Sequence, residues 1–181
     1  MRKIFYTILI FHFFFLIVNA QPNIEWVRRF NSGGSNNDYY TDMKLDKAGN
    51  IYICGYLESS STVRTFLTLK YSYSGELQWT RTYNCMNVNE AVGLVVDTFG
   101  NVYVTGRSDT IKSNLNTVSS LVLIKYSTDG NLLWMKRYVN EDSIYTLPRA
   151  LCLDDSTNIY VTGDSFHDPQ NSNYTTVKYD K

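Results

Sequence analysis

An all-β fold of three stacked, four-stranded units is what this sequence predicts, on three observations. One ordered set of segments occurs three times, its period lies near 50 residues, and its apolar runs are rich in β-branched and aromatic residues. A period of that length, filled by short strands and tight turns, points to the blades of a β-propeller.

The repeat is legible residue by residue. Met43-Lys44-Leu45-Asp46 leads to Gly49-Asn50-Ile51-Tyr52-Ile53-Cys54-Gly55. Leu94-Val95-Val96-Asp97 leads to Gly100-Asn101-Val102-Tyr103-Val104-Thr105-Gly106. Leu151-Cys152-Leu153-Asp154 leads to Asn158-Ile159-Tyr160-Val161-Thr162-Gly163, with Thr157 where the other two have glycine. A second element follows each time, as Leu69-Lys70-Tyr71, Ile124-Lys125-Tyr126 and Val177-Lys178-Tyr179. The first two continue through Gly75 to Trp79 and through Gly130 to Trp134, and Trp26 matches these tryptophans ahead of the first repeat.

Each Asp-to-Asn connection predicts a tight turn, because aspartate bonds its own turn backbone and glycine accepts positive φ. Thr157 accepts it only at a cost, so the third hairpin is expected to change geometry or carry strain. The strands are expected at 40–45, 50–57, 65–72 and 76–83, then at 92–97, 101–106, 120–127 and 131–138, then at 150–154, 158–163 and 173–180. One more, at 24–30 around Trp26, supplies the outer strand that the third unit lacks, so that the first strand of the chain is expected to complete the last blade. The residues read as structural are therefore Trp26, Asp46, Gly49, Asn50, Gly55, Trp79, Asp97, Gly100, Asn101, Gly106, Trp134, Asp154, Asn158 and Gly163.

Runs such as Val92-Gly93-Leu94-Val95-Val96 and Leu121-Val122-Leu123-Ile124 do not alternate cleanly with polar residues. A sheet with one wet face would alternate. Sheets apolar on both faces must stack on copies of themselves, as repeat proteins do. Three blades fall short of the roughly 4–8 of known propellers. Two readings answer this: a segment of a longer propeller, or two chains closing a six-bladed ring in which each N-terminal strand completes the other chain's last blade.

The ends and the composition bound the function. Arg2 and Lys3 precede an apolar run from residue 4 to 18, broken only by Thr7 and His12, and Val18-Asn19-Ala20 ends it. This reads as a secretory signal peptide over residues 1–20, leaving 21–181 as the repeat domain. The run is short for a membrane span of about 20 residues. Loss of Arg2 and Lys3 leaves 15 basic residues against 17 acidic ones, a formal charge of −2. That balance offers no footprint for nucleic acid. No second apolar run exists to span a membrane after cleavage. Arg28-Arg29 and Lys136-Arg137 read as solvated edges. Of the three cysteines, Cys54 and Cys152 sit in apolar patterns and read as buried, while Cys85 reads as the more reactive thiol.

The stretch from Asp97 to Gly106, followed by Lys125-Tyr126 and Gly130-Asn131-Leu132-Leu133-Trp134, resembles the SBBP family of bacterial β-propeller repeats. The resemblance runs through nearly all of 21–181. It implies a propeller in an exported or surface protein of a bacterium, periplasmic or extracellular, and brings no shared catalytic residues. Thr157 and Cys54 depart from the family's usual glycine and threonine.

Antiparallel connectivity puts the tight turns at one end of the strands and the longer connections at the other. The latter are 31–39, 84–91 and 139–149 between units, and 58–64, 107–119 and 164–172 within them. This rim carries the candidate binding residues Asp38, Arg64, Glu90, Arg107, Glu141, Asp142, Asp164, His167 and Asp168. Loops on a rigid scaffold are a common seat of recognition. An extracellular protein, peptide or glycan is the expected partner, beside self-association or further blades.

No enzyme is expected, and no metal or cofactor. His167 is the sole histidine after residue 20, which excludes a His-rich zinc site within one chain. Glu141 and Asp142 are neighbours, not a pair facing across a cleft. No serine sits in a nucleophile elbow, and Gly33-Gly34 is followed by no basic anchor. The alternative is a secreted lyase or hydrolase whose site needs blades outside this segment.

Overall fold

The computed structural model describes residues 22–33, 37–60, 62–86, 88–111 and 117–180. The expected signal peptide lies outside them. Every regular element among the described residues is a strand. The first unit holds β1 (Asn37–Leu45), β2 (Ile51–Ser60), β3 (Val63–Tyr71) and β4 (Leu77–Tyr83). The second holds β5 (Asn89–Val96), β6 (Val102–Ile111), β7 (Thr117–Tyr126) and β8 (Leu132–Tyr138). The third holds β9 (Tyr145–Leu153), β10 (Ile159–Asp168) and β11 (Asn171–Tyr179). Each unit is an antiparallel meander in chain order. A single parallel bridge, Ser119 to Tyr145, ties the second sheet to the third.

The three Asp-to-Asn turns share one hydrogen-bond plan. In the first, Asp46 Oδ1 accepts the backbone N–H of Ala48 and Asn50, at 2.8 and 2.9 Å. Its Oδ2 accepts Asn50 Nδ2 at 2.8 Å and the Tyr52 hydroxyl at 3.1 Å. Asp97 does the same with Phe99, Asn101 and Tyr103, and Asp154 with Ser156, Asn158 and Tyr160. Gly49 and Gly100 take φ of 81° and 80°, and Thr157 takes 65° in the same place. The third hairpin thus keeps the geometry and carries the strain.

A β-bulge interrupts the first strand of every unit, at Thr41, Val92 and Arg149. It turns a carbonyl toward the second strand. A Cβ on Gly55, Gly106 or Gly163 would stand 1.8–2.0 Å from the backbone oxygen of Tyr39, Glu90 or Leu147. This steric demand is the reason for glycine at the end of each Ile/Val-Tyr-Ile/Val motif.

The sheets pack face to face. Tyr52, Cys54, Phe66 and Trp79 of the first unit bury against Leu94, Val102, Val104, Val122, Ile124 and Tyr126 of the second. The other face of the second unit, with Tyr103, Leu121 and Leu123, buries against Ile159 and Val161 of the third. Trp134 packs onto that same junction. Trp79 reaches across its own: Nε1 donates to the Thr128 carbonyl at 3.0 Å, and Arg81 Nε donates to the Gly130 carbonyl at 2.6 Å.

Three expectations need correction. Residues 24–30 form no ladder; they lie against the first unit, where Trp26 Nε1 donates to the Tyr73 carbonyl at 3.2 Å and Arg28 Nε to the Gly75 carbonyl at 2.7 Å. Cys152 is exposed, because its neighbours Leu151 and Leu153 take the buried face and leave it on the uncovered side of the third unit. Arg137 is not solvated but held by Tyr83, Ser108 and Ser120 at the first junction, whereas Arg28 and Arg29 are exposed as expected. All three cysteines are free, and burial pushes the Cys54 thiol up to about 12.

Candidate functional site

The strands run further toward the rim than expected. Asp38, Arg64, Glu90, Arg107, Asp164, His167 and Asp168 therefore sit within strands, and only Glu141 and Asp142 lie in a connection. Antiparallel β2–β3, β6–β7 and β10–β11 hairpins carry the pattern outward, because serine, threonine and charged side chains also pair across a ladder.

The structure brings three of these residues together. Glu90, half-buried at the start of β5, accepts hydrogen bonds from Arg64 on β3 and Arg107 on β6. Arg64 also donates Nε to Glu58 on β2 at 2.7 Å. Burial works to lower the Arg64 pKa, but hydrogen bonds and charge from Glu58 and Glu90 outweigh it and raise the group above its ordinary value. Two acids and two arginines thus alternate across the mouth of the first junction. The Arg64 guanidinium lies 5.2 Å from the centre of the Tyr56 ring, within cation–π range. Tyr56 stacks on Tyr39 with ring centres 4.9 Å apart and planes 22° apart. Burial raises the Tyr56 hydroxyl above its ordinary value, so this ring is neutral at any physiological pH.

The remaining candidates are scattered. Asp38 accepts the Ser32 N–H and hydroxyl, at 3.0 and 2.7 Å. Asp164 pairs with Arg149 at 2.7 Å on the third unit. His167 Nδ1–H donates to the Asp142 carbonyl at 2.8 Å. Asp168 closes its own hairpin by accepting Gln170 N–H and both Asn171 donors. Those bonds, Asn171's side chain first, hold the Asp168 carboxyl below its ordinary value. Glu141 is exposed in the 139–144 connection.

Two features escaped the sequence reading. The Tyr39–Tyr56 stack joins residues of different strands in the same unit, and only the bulge at Thr41 sets that register. Asn89, fully buried, donates to the Arg64 carbonyl and to Asn84 Oδ1, and accepts the Ser108 hydroxyl. A buried asparagine with all its groups engaged stiffens the base of the cluster. No signal in the sequence separates Asn89 from its exposed neighbours.

Among the described residues, no group of three or more histidine, cysteine, aspartate or glutamate side chains is arranged to hold a metal. No helix there is long and apolar enough to cross a membrane. Residues 25–56 and 90–111 match the family model of the SBBP β-propeller repeat. Two stretches of the chain are thus similar to SBBP repeats. The matched stretches take in the Trp26 segment with the first Asp-to-Asn hairpin, and the β5–β6 hairpin of the second unit. A search of characterised proteins found no match.

Proposed function

We propose that this protein is an exported, non-catalytic propeller module that binds an extracellular ligand at its rim. The three units act as blades around an axis, and the mature protein starts after Ala20. The observation that carries the reading is the cluster of Tyr39, Tyr56, Arg64, Glu58, Glu90 and Arg107. A partly exposed aromatic face beside fixed acids and guanidinium groups suits a hydroxyl-rich or peptidic ligand. The ring covers an apolar face of the ligand, and the ions meet its donors and acceptors. Every acid in the cluster is engaged by an arginine, which disfavours a free general acid or base there.

Glycan and peptide arrays probed with the processed protein test this. The expected result is binding to one class, reduced tenfold or more by Tyr39→Ala. Binding that is unchanged in Tyr39→Ala would move the site elsewhere. Turnover of polysaccharide or ester substrates by the purified chain would support the lyase or hydrolase alternative instead.

A further inference from the structure

We infer that the rim cluster takes an acidic oligosaccharide, with one sugar ring on Tyr39 and a sugar carboxylate on Arg107. This ligand class rests on the reading of that cluster as the binding site and names what binds there.

The cluster is a row of side chains. It starts at Tyr39 on β1 and runs over Tyr56 on β2 to Arg64 on β3. It then crosses the first junction to Glu90 on β5 and Arg107 on β6. The pairing of β2 with β3 is unbroken from Ile51 to Glu58, so Tyr56 and Glu58 share the face of Tyr52 and Cys54, which packs on the second unit. Tyr39 lies opposite Tyr56, and Arg64 opposite Glu58, so all four project from that face. The site is therefore internal to two neighbouring units.

Charges alternate along the row. Glu58 accepts from Arg64, and Glu90 accepts from Arg64 at Oε1 and from Arg107 at Oε2. The alternation ends on an arginine. Arg107 bonds Glu90 through Nε, and among the described residues no hydrogen bond engages its two Nη groups. Such a planar set of donors matches a carboxylate. Depth favours the same ligand. The Glu58 and Glu90 side chains are each 16% exposed, against 26% for Arg64 and 30% for Arg107, so an incoming molecule meets donors before acceptors. A ligand carboxylate on Arg107 adds one more acid to the order acid, base, acid, base.

The tyrosines select a sugar. One face of Tyr39 lies on Tyr56, yet the residue stays 41% exposed, so its ring is open to a ligand. The face of an aromatic ring is its electron-rich side. It attracts the weakly positive C–H groups on one side of a pyranose, while the hydroxyls around the sugar ring keep their water. A peptide gains less here, because the cluster projects from a sheet face and offers no strand edge for a backbone to pair with. Tyr39 and Arg64 stand two strands apart, about 10 Å, and Arg107 lies beyond, so a ligand touching both ends is longer than one sugar. The row is set in advance. Buried Asn89 donates to the Arg64 carbonyl at 3.0 Å and accepts the Ser108 hydroxyl at 2.6 Å, which anchors the neighbours of Glu90 and Arg107. Little side-chain freedom is then lost on binding.

Calorimetric titration of the exported, processed protein with trigalacturonate, its methyl ester and the neutral galactose trisaccharide tests this. The acid is expected to bind about tenfold or more tightly than either uncharged probe. Arg107→Gln should remove that preference with circular dichroism unchanged, since Glu90 keeps Arg64. Arg107→Lys, which keeps the charge but not the planar donors, should restore only part of it. Tyr39→Ala should weaken the acid and the uncharged probes alike. Equal affinity for acid and ester overturns the inference and leaves the binding reading intact, as does tighter binding of a polyglutamate peptide than of the sugar acid. Failure of every probe beside a Tyr39-dependent hit elsewhere on the arrays overturns the inference alone; no hit anywhere overturns both. The acid and ester comparison uses the unaltered protein, so it decides even where a substitution disturbs the fold.

Discussion

Thr157 holds the left-handed conformation that glycine takes in the sister turns, with its N–H donating to the Asp154 carbonyl at 2.9 Å as theirs do to Asp46 and Asp97. For a residue with a Cβ that conformation costs roughly 1–2 kcal/mol, and glycine returns about 0.5–1 of it as added freedom in the unfolded chain. Thr157→Gly is therefore expected to stabilise the fold by about 0.5–1 kcal/mol, read as a higher urea midpoint at unchanged slope. The turn aspartates respond to acid. Burial works to raise Asp46, but bonds from Asn50, Ala48 and Tyr52 outweigh it; at Asp154 the Asn158 side chain leads. Both carboxyls end below 3.8. A folded-state pKa lower than the unfolded one means that the fold favours the ionised form. The stability this adds is complete above the unfolded value and is lost as pH falls through the lowered one. Acid unfolding followed by circular dichroism should begin only below about pH 4, and Asp154→Asn should flatten the pH dependence there.

At the scale of the element, the outer strand is held by its tryptophan as much as by its ladder. Trp79 is buried between Tyr52 and Tyr126, with ring centres 6.1 and 6.2 Å away, and its Nε1 is satisfied across the junction. Trp79→Ala removes the packing and leaves the Thr128 carbonyl with Lys70 as its remaining donor. The expected cost is about 3–5 kcal/mol by urea denaturation; a loss below about 1 kcal/mol, the size of one ordinary hydrogen bond, would mean that β4 is held by its backbone alone. The contrast with residues 24–30 makes the same point. They carry the same tryptophan and arginine contacts, but without a neighbouring strand their backbone forms no ladder.

For the whole molecule, coverage sets the order of stability. The second unit is covered on both faces, and Val102, Tyr103, Val104, Val122 and Leu123 have no exposed surface. The first unit is covered on one face, and β1 is exposed along most of its length. Local opening follows burial and contact density. Hydrogen exchange is expected to be slowest in β6 and β7 and fastest in β1. Uniform protection across the three units would mean that they do not stack as separate sheets.

The sequence by itself determined the hairpins, their turn chemistry and the two-faced character of the sheets. Asp46, Asn50 and their counterparts act within a few residues of one another, so their spacing states their geometry. The Asp–Tyr bonds were present in the same motif, although the tyrosines read only as strand formers. Only the tertiary structure decided that residues 24–30 stand without a ladder, that Cys152 faces outward, and that Arg64, Glu90 and Arg107 meet beneath a tyrosine stack. Those outcomes depend on residues far apart along the chain, such as Trp26 and Tyr73, 47 positions from one another. Whether such residues meet is set by how one sheet leans on the next, and a local pattern carries no record of that lean.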